Sequence, residues 1–229
     1  MPPLILASNS PRRKELLSLT GFPFVVLSAD VDESLFPGEE PIACVMRLAR
    51  LKAETAQQMA DGLGFTTGQV IVAADTIVVN DGAIFGKPSD QLDARRMLVE
   101  LRGHNHQVLT AISISTAHGQ KHSTVVCETD VPMRNYTDEE MDEYIRSGDP
   151  LDKAGAYAIQ HEGFQPVKKM TGCFASVMGL PLCHLVKELE SYQLSVLDDV
   201  PTACQTNLDY ECPIYATILT RYQFKQEKK

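Results

Sequence analysis

The chain has 229 residues, of which 44% are hydrophobic, enough to fill the core of one large domain or of one domain with two lobes. Its formal net charge of −9 excludes long-range attraction to nucleic acid or to acidic membranes. Any site for a polyanion must therefore be a local basic cluster focused in a cleft.

No stretch approaches the ~20 apolar residues of a membrane span. Met1-Pro2-Pro3 supplies no basic n-region, so no secretory signal is expected. The six scattered cysteines form no Cys-x-x-Cys pair and read as reduced thiols of a cytoplasmic protein. Cys204 and Cys212 are the one pair where a disulfide or zinc site would be sought.

In chain order, Leu4-Ile5-Leu6 reads as a strand and Ala7 to Ser10 as a tight polar loop. A helix then opens at Pro11, with Ser10 as N-cap and Pro11 at its first position. Arg12 and Arg13 fall in the first turn, where a helix prefers acids. They suit an anion held by backbone N–H groups, the Ser8 and Ser10 hydroxyls and two guanidinium forks. A charged, exposed helix start fits the local sequence equally well. Gly21 is a plausible terminator, and Phe22 to Leu27 reads as a strand.

The acidic loop Ala29-Asp30-Val31-Asp32-Glu33-Ser34, running on to Pro37-Gly38, is either a solvated turn or a source of oxygen ligands for a divalent cation. Pro41 to Gly62 is a helix with Ile42, Val45, Met46 and Ala49 on one side. Lys52 lies on it, as a helix-face charge or facing a neighbouring cleft. Residues 69 to 79 form the strongest strand, apolar on both sides of Asp75. A carboxylate inside such a run is costly unless paired, metal-bound or at an opening, which favours a functional Asp75. Asn80-Asp81-Gly82 turns into a short strand, Ala83 to Phe85, followed by Gly86-Lys87-Pro88. Ser89 is read as the cap of a helix reaching Leu101, with Leu92, Met97, Leu98 and Leu101 on its apolar side.

The middle of the chain is β-rich: Gln107 to Ser115, a turn at His118-Gly119, then one or two strands over Lys121 to Met133. The histidines there show no metal-ligand spacing. Thr137-Asp138-Glu139-Glu140 is a capping box that opens a helix ended by Gly148. Asp149 to Gln160, rich in small residues, reads locally as a tight turn into a strand. Phe164 to Met170 could be another strand. An amphipathic helix runs from Leu182 to about Tyr192. In the tail, Tyr215 to Phe224 is expected to pack as a strand or short helix, with frayed final residues.

Several motifs occur in order: Ala7-Ser8-Asn9-Ser10-Pro11-Arg12-Arg13, Ala74-Asp75-Thr76, Gly86-Lys87-Pro88, Asp152-Lys153-Ala154-Gly155 with Tyr157 and Ile159-Gln160, and Gly179-Leu180-Pro181. Together they resemble the Maf family of nucleoside triphosphate pyrophosphatases, over residues 4 to about 192. The resemblance implies an α/β fold like that of inosine triphosphate pyrophosphatases: an elongated mixed β-sheet flanked by helices, with two lobes and a deep cleft. It divides the chain into a catalytic domain, 1–192, and a C-terminal extension, 193–229. It implies cleavage of a nucleoside triphosphate between the α and β phosphates with Mg²⁺ or Mn²⁺ as cofactor, by a cytoplasmic homodimer; the charge already argues against nucleic acid or membrane as a partner.

By the same resemblance Asp75 is the catalytic acid–base residue. Ser8, Arg12, Arg13, Lys52 and Lys87 hold phosphates, and Glu33 joins Asp75 at the metal. Arg12, Thr76 and Gln160 match the branch acting on dTTP and UTP; Gln160 offers the donor and acceptor that a uracil or thymine edge requires. Ser176 stands where many members carry Asn, a smaller hydrogen-bonder that implies a local packing adjustment. The residues suit the chemistry. A triphosphate with about four negative charges needs several cations and a metal, and an acid beside the phosphates can activate the attacking water. The alternatives are a non-catalytic nucleotide-binding regulator of cell division and a pyrophosphatase preferring modified bases.

Overall fold

The computed structural model describes residues 4–28, 30–65, 69–116, 119, 121–195 and 199–220. Six strands make one mixed sheet: β1 (Leu4–Leu6), β2 (Phe24–Val26), β3 (Val70–Asn80), β4 (Ala83–Phe85), β5 (Asn105–Thr116) and β6 (His122–Pro132). The order is β2-β1-β3-β5-β6, with β4 paired to β3. β1 runs parallel to β2 and β3, and the remaining pairings are antiparallel. The helices are α1 (Pro11–Ser18), α2 (Pro41–Gly62), α3 (Gln91–Leu101), α4 (Asp138–Arg146), α5 (Phe174–Met178), α6 (Leu182–Glu190), α7 (Val200–Leu208) and α8 (Tyr215–Thr220). Among the described residues no helix is long and apolar enough to cross a membrane.

Alternation along β3 sorts the layers. Ile71, Ala73, Ile77 and Val79 face α2, meeting Val45, Ala49, Ala53 and Ala56 on its small-residue side. Val70, Val72 and Ala74 face the opposite way, into a core with Leu16 and Leu17 of α1, α5, and Leu182, Leu185 and Leu189 of α6. Val78 continues that face into a further core built by α3, α4, Phe85 and Tyr157.

One feature of the pairing creates the site. β5 pairs with β3 from Val70 to Val79 along one edge. On the other edge, β1 pairs only at Ile71 and Val72, and β4 only from Val78 to Asn80. The stretch Ala73–Ile77 therefore borders a notch in the sheet. Side chains from both faces reach a notch, so the neighbours Asp75 and Thr76 can share one cleft despite pointing oppositely.

Most predicted elements lie where the pattern placed them, and α2 and β4 match their expected limits. The capping box of α4 is present in full. Corrections fall at ends and loops. Asp90, not Ser89, caps α3, its side chain accepting from the Asp93 amide. Leu92, in the first turn, is 80% exposed and leaves the apolar side to Ala94, Met97, Leu98 and Leu101. Asp149 to Ala156 makes two short 3-10 turns and no strand, because Gly148 and Gly155 take positive φ. Residues 164–170 contribute a single bridge, Met133 to Val167, where Pro166 can donate no ladder hydrogen bond. Lys121 to Met133 yields one strand. His118 and the final residues from 221 lie outside the described residues.

Beyond residue 192, α7 places Val200, 1% exposed, in the core under α6, and Cys204, Leu208, Ile214 and Leu219 pack against that core. Neither α5 nor α7 is expected from periodicity: α5 has only five residues, and α7 buries Val200 alone and so carries no apolar stripe.

Candidate active site

A cleft of about 840 Å³ opens at the notch. Ser8, Arg12, Arg13, Glu33, Lys52, Asp75, Thr76, Lys87 and Gln160 all line it, drawn from six separate segments. Five cations (Arg12, Arg13, Lys52, Lys87, Lys153) face three carboxylates (Glu33, Asp75, Asp152) within its walls. A chain of net charge −9 thus concentrates positive charge at one place.

Asp75 is 6% exposed in the middle of β3, and Lys52, 8% exposed, reaches it from α2 in a close ion pair. The cost of an aspartate in an apolar strand is offset by that partner. Lys52 Nζ also lies 2.7 Å from Glu33 Oε1, so one ammonium holds two carboxylates. Lys87 Nζ meets the other Glu33 oxygen at 3.5 Å. Burial pushes the Glu33 carboxyl up, but hydrogen bonds and charge from Lys52 and then Lys87 more than offset this and hold it below the usual range.

Ser10 caps α1 by accepting from the Arg13 amide at 3.5 Å, while its own amide donates to Ser8 Oγ at 3.2 Å. The N-terminal turn of α1 is thereby presented to the cleft. The Arg13 guanidinium donates from Nε to the Gly179 carbonyl at 2.9 Å, from Nη1 to Ser8 Oγ at 3.3 Å and from Nη2 to Thr76 Oγ1 at 3.2 Å. Enclosure lowers its pKa; the Asp75 charge opposes this and the Arg12 charge adds to it. With five N–H donors, it retains two beyond these bonds.

Gly179 takes φ 112° as the C-cap of α5, and a Cβ there would sit 3.2 Å from Arg13 Nε. The Gly-Leu-Pro motif thus supplies a carbonyl for an arginine, which its spelling alone did not reveal. Gly155 is equally constrained. Its φ is 68°, its amide donates to the Gly86 carbonyl at 3.0 Å, and a Cβ would lie 2.8 Å from Val78 Cγ2. That bond ties the Asp-Lys-Ala-Gly and Gly-Lys-Pro segments together beside Lys87.

Lys153 is saturated: Nζ donates to the Asp149 carbonyl at 2.6 Å, to Asp149 Oδ1 at 2.9 Å and to Asp152 Oδ1 at 2.6 Å. Its role is to brace the turn. Asp152 also stands 3.9 Å from Arg12. Gln160 is exposed at the rim. Tyr157, buried in the cleft wall, has its hydroxyl 2.8 Å from Nε2 of the buried His106, whose pKa burial lowers to about 4. Sequence reasoning does not find this pair: it begins the strand at Gln107, leaving His106 outside, and no spacing links His106 to Tyr157. All six cysteines are free thiols, and Cys173, Cys183, Cys204 and Cys212 border a second, small cavity beneath α7.

The fold and this cleft define an α/β protein equipped to hold a polyanion beside paired carboxylates. The chain matches the model of the Maf-like protein family over residues 3–192, and it belongs to that family. It is 45% identical over 186 residues to a "dTTP/UTP pyrophosphatase" of Citrifermentans bemidjiense, covering 81% of this chain and 93% of that one. It is 44% identical over 186 residues, with the same coverage, to one of Geobacter sp. strain M21. A third relative of that name, from Pseudoalteromonas atlantica, is 45% identical over 179 residues, covering 78% of this chain and 91% of its own. A solved structure, that of the Staphylococcus aureus Ham1 protein, overlays weakly: TM-score 0.47 and 13% identity, over 99% of this chain and 100% of that chain.

Proposed function

We propose that the chain hydrolyses nucleoside triphosphates, dTTP and UTP foremost, to the monophosphate and pyrophosphate. The observation that carries this reading is the meeting of Arg12, Arg13, Lys52 and Lys87 with Asp75 and Glu33 in one cleft. The names of its relatives point the same way.

In this reading Arg12, Arg13, Lys87 and the Ser8 hydroxyl grip the phosphates at the N-terminus of α1. Asp75 accepts a proton from the water that attacks phosphorus, the bond joining the α and β phosphates breaks, and pyrophosphate leaves with its charge met by the fixed cations. Lys52 holds the Asp75 carboxylate in place. Gln160 faces the base, offering both a donor and an acceptor, while Thr76 bears on the substrate through Arg13, whose Nη2 it accepts from.

Glu33 and Asp75, on either side of the Lys52 ammonium, supply carboxylate oxygens of the kind that suits a hard divalent cation. Among the described residues no group of three or more His, Cys, Asp or Glu stands ready to hold a metal. Further ligands would come from phosphate and water. Mg²⁺ or Mn²⁺ bound by Glu33 and Asp75 would neutralise phosphate charge and polarise the scissile anhydride. A cytoplasmic homodimer, in which residues 1–192 carry the chemistry and 193–229 are a C-terminal extension, completes the reading.

The test is pyrophosphate release from dTTP, UTP, 5-methyl-UTP, pseudo-UTP and 7-methyl-GTP, with Mg²⁺ and with Mn²⁺. Turnover of dTTP and UTP well above 7-methyl-GTP is expected. Tight dTTP binding without product would replace the enzyme with a nucleotide sensor.

A further inference from the structure

Thr110 lies on β5 directly opposite Thr76 and is completely buried. Its hydroxyl has one hydrogen. Oγ1 stands 2.7 Å from the carbonyl oxygen of Ser176, which can only accept, so the Thr110 proton goes there. Thr76 Oγ1 is 3.0 Å from Thr110 Oγ1. With the Thr110 proton already committed, Thr76 must be the donor in that contact. The Thr76 oxygen then faces Arg13 with lone pairs alone, and Arg13 Nη2 donates to it at 3.2 Å.

The direction of the whole chain is thus determined: Arg13 to Thr76, Thr76 to Thr110, Thr110 to the Ser176 carbonyl. The same α5 turn holds the other end of the guanidinium, since the Gly179 carbonyl accepts from Arg13 Nε at 2.9 Å and the Gly179 amide donates to Ser176 at 2.9 Å. One turn therefore fixes the fork twice, once directly and once through two hydroxyls. Without Thr110, the Thr76 hydroxyl is free to rotate and can present its hydrogen to Arg13 in place of a lone pair.

We infer that Thr110, which does not line the cleft, is a positioning residue that locks the Arg13 guanidinium by fixing the direction of the Thr76 hydroxyl. The inference rests on the reading that Arg13 grips a triphosphate, and its test has one arm that depends on that reading and one that does not.

In the first arm, calorimetry of the full chain with inorganic triphosphate compares wild type, Thr110→Val and Thr110→Ser. Loss of one hydrogen bond's fixing effect weakens binding in Thr110→Val by about tenfold. Thr110→Ser, which keeps the hydroxyl, binds within about twofold of wild type. Thr76→Val cuts the same chain one link nearer the cleft and reproduces the loss, and the double variant is no weaker than the worse single one. Wild-type binding by Thr110→Val, or losses that add in the double variant, overturn the inference.

In the second arm, the Arg13 Nε–H resonance is followed by ¹⁵N NMR without any ligand. It exchanges slowly in wild type and Thr110→Ser and fast in Thr110→Val. Equal protection in all three overturns the positioning role. If wild type fails to bind triphosphate, the grip reading falls, and this second arm alone decides the role of Thr110.

Discussion

Replacing Lys52 with methionine removes the ammonium shared by Asp75 and Glu33 while keeping the stem. The Lys52 and Asp75 side chains are 10% and 8% exposed, so the pair is buried. Removing one partner of a buried pair costs about 3–5 kcal/mol, because a charge is left behind without compensation. The Glu33 contact adds little: its side chain is 44% exposed, and water screens it. For a chain of this size roughly 2–4 °C of melting temperature accompanies each kcal/mol, so Lys52→Met melts about 10 °C below wild type. Urea denaturation of Lys52→Met, Asp75→Asn and the double variant completes a cycle. The double variant, with no stranded charge, is more stable than Lys52→Met alone. A loss under about 1 kcal/mol for Lys52→Met, or two single losses that simply add, would refute the claim that this ammonium neutralises buried charge.

Three further outcomes follow from the cleft walls. Gly179→Ala forces a side chain into φ 112° and 3.2 Å from Arg13 Nε, so pyrophosphate release falls at least about tenfold and urea denaturation shows a loss of about 1–3 kcal/mol. Gly155→Ala meets Val78 at 2.8 Å with φ 68°, and costs about 1–3 kcal/mol in urea denaturation. Burial lowers the His106 pKa from 6.5 to about 4, so the unfolded chain binds the proton first. The stability this contributes is present above pH 6.5 and is lost as pH falls toward about 4, by up to roughly 3 kcal/mol. In His106→Gln the stability profile between those pH values flattens.

The fold was legible where one period ran long. Eleven residues of β3 and twenty-two of α2 carry long patterns, α2 opening at Pro41 and β3 ending at the Asp81-Gly82 turn. Asp75 stood out because a buried strand has no place for an unpaired acid, and Lys52 answered it from the helix across the sheet. What stayed hidden depends on long-range pairing. Periodicity cannot show that β1 and β4 leave a notch beside Ala73–Ile77, nor that Thr110 sits opposite Thr76. Backbone acceptors such as the Gly179 carbonyl have no letter in the sequence. Asp149 to Gln160 reads as a tight turn into a strand; the turn is there, braced by the Lys153 ammonium, which spends its three hydrogens on Asp149 and Asp152.

The most direct test of the account is pyrophosphate release from dTTP and UTP, with Mg²⁺ present, by wild type and by Asp75→Asn. Wild type releases one pyrophosphate for each monophosphate, and Asp75→Asn lowers kcat by about 10²–10⁴ with little change in nucleotide binding, as expected when a general base is lost. Release of single phosphates by wild type, or near wild-type turnover by Asp75→Asn, would contradict it.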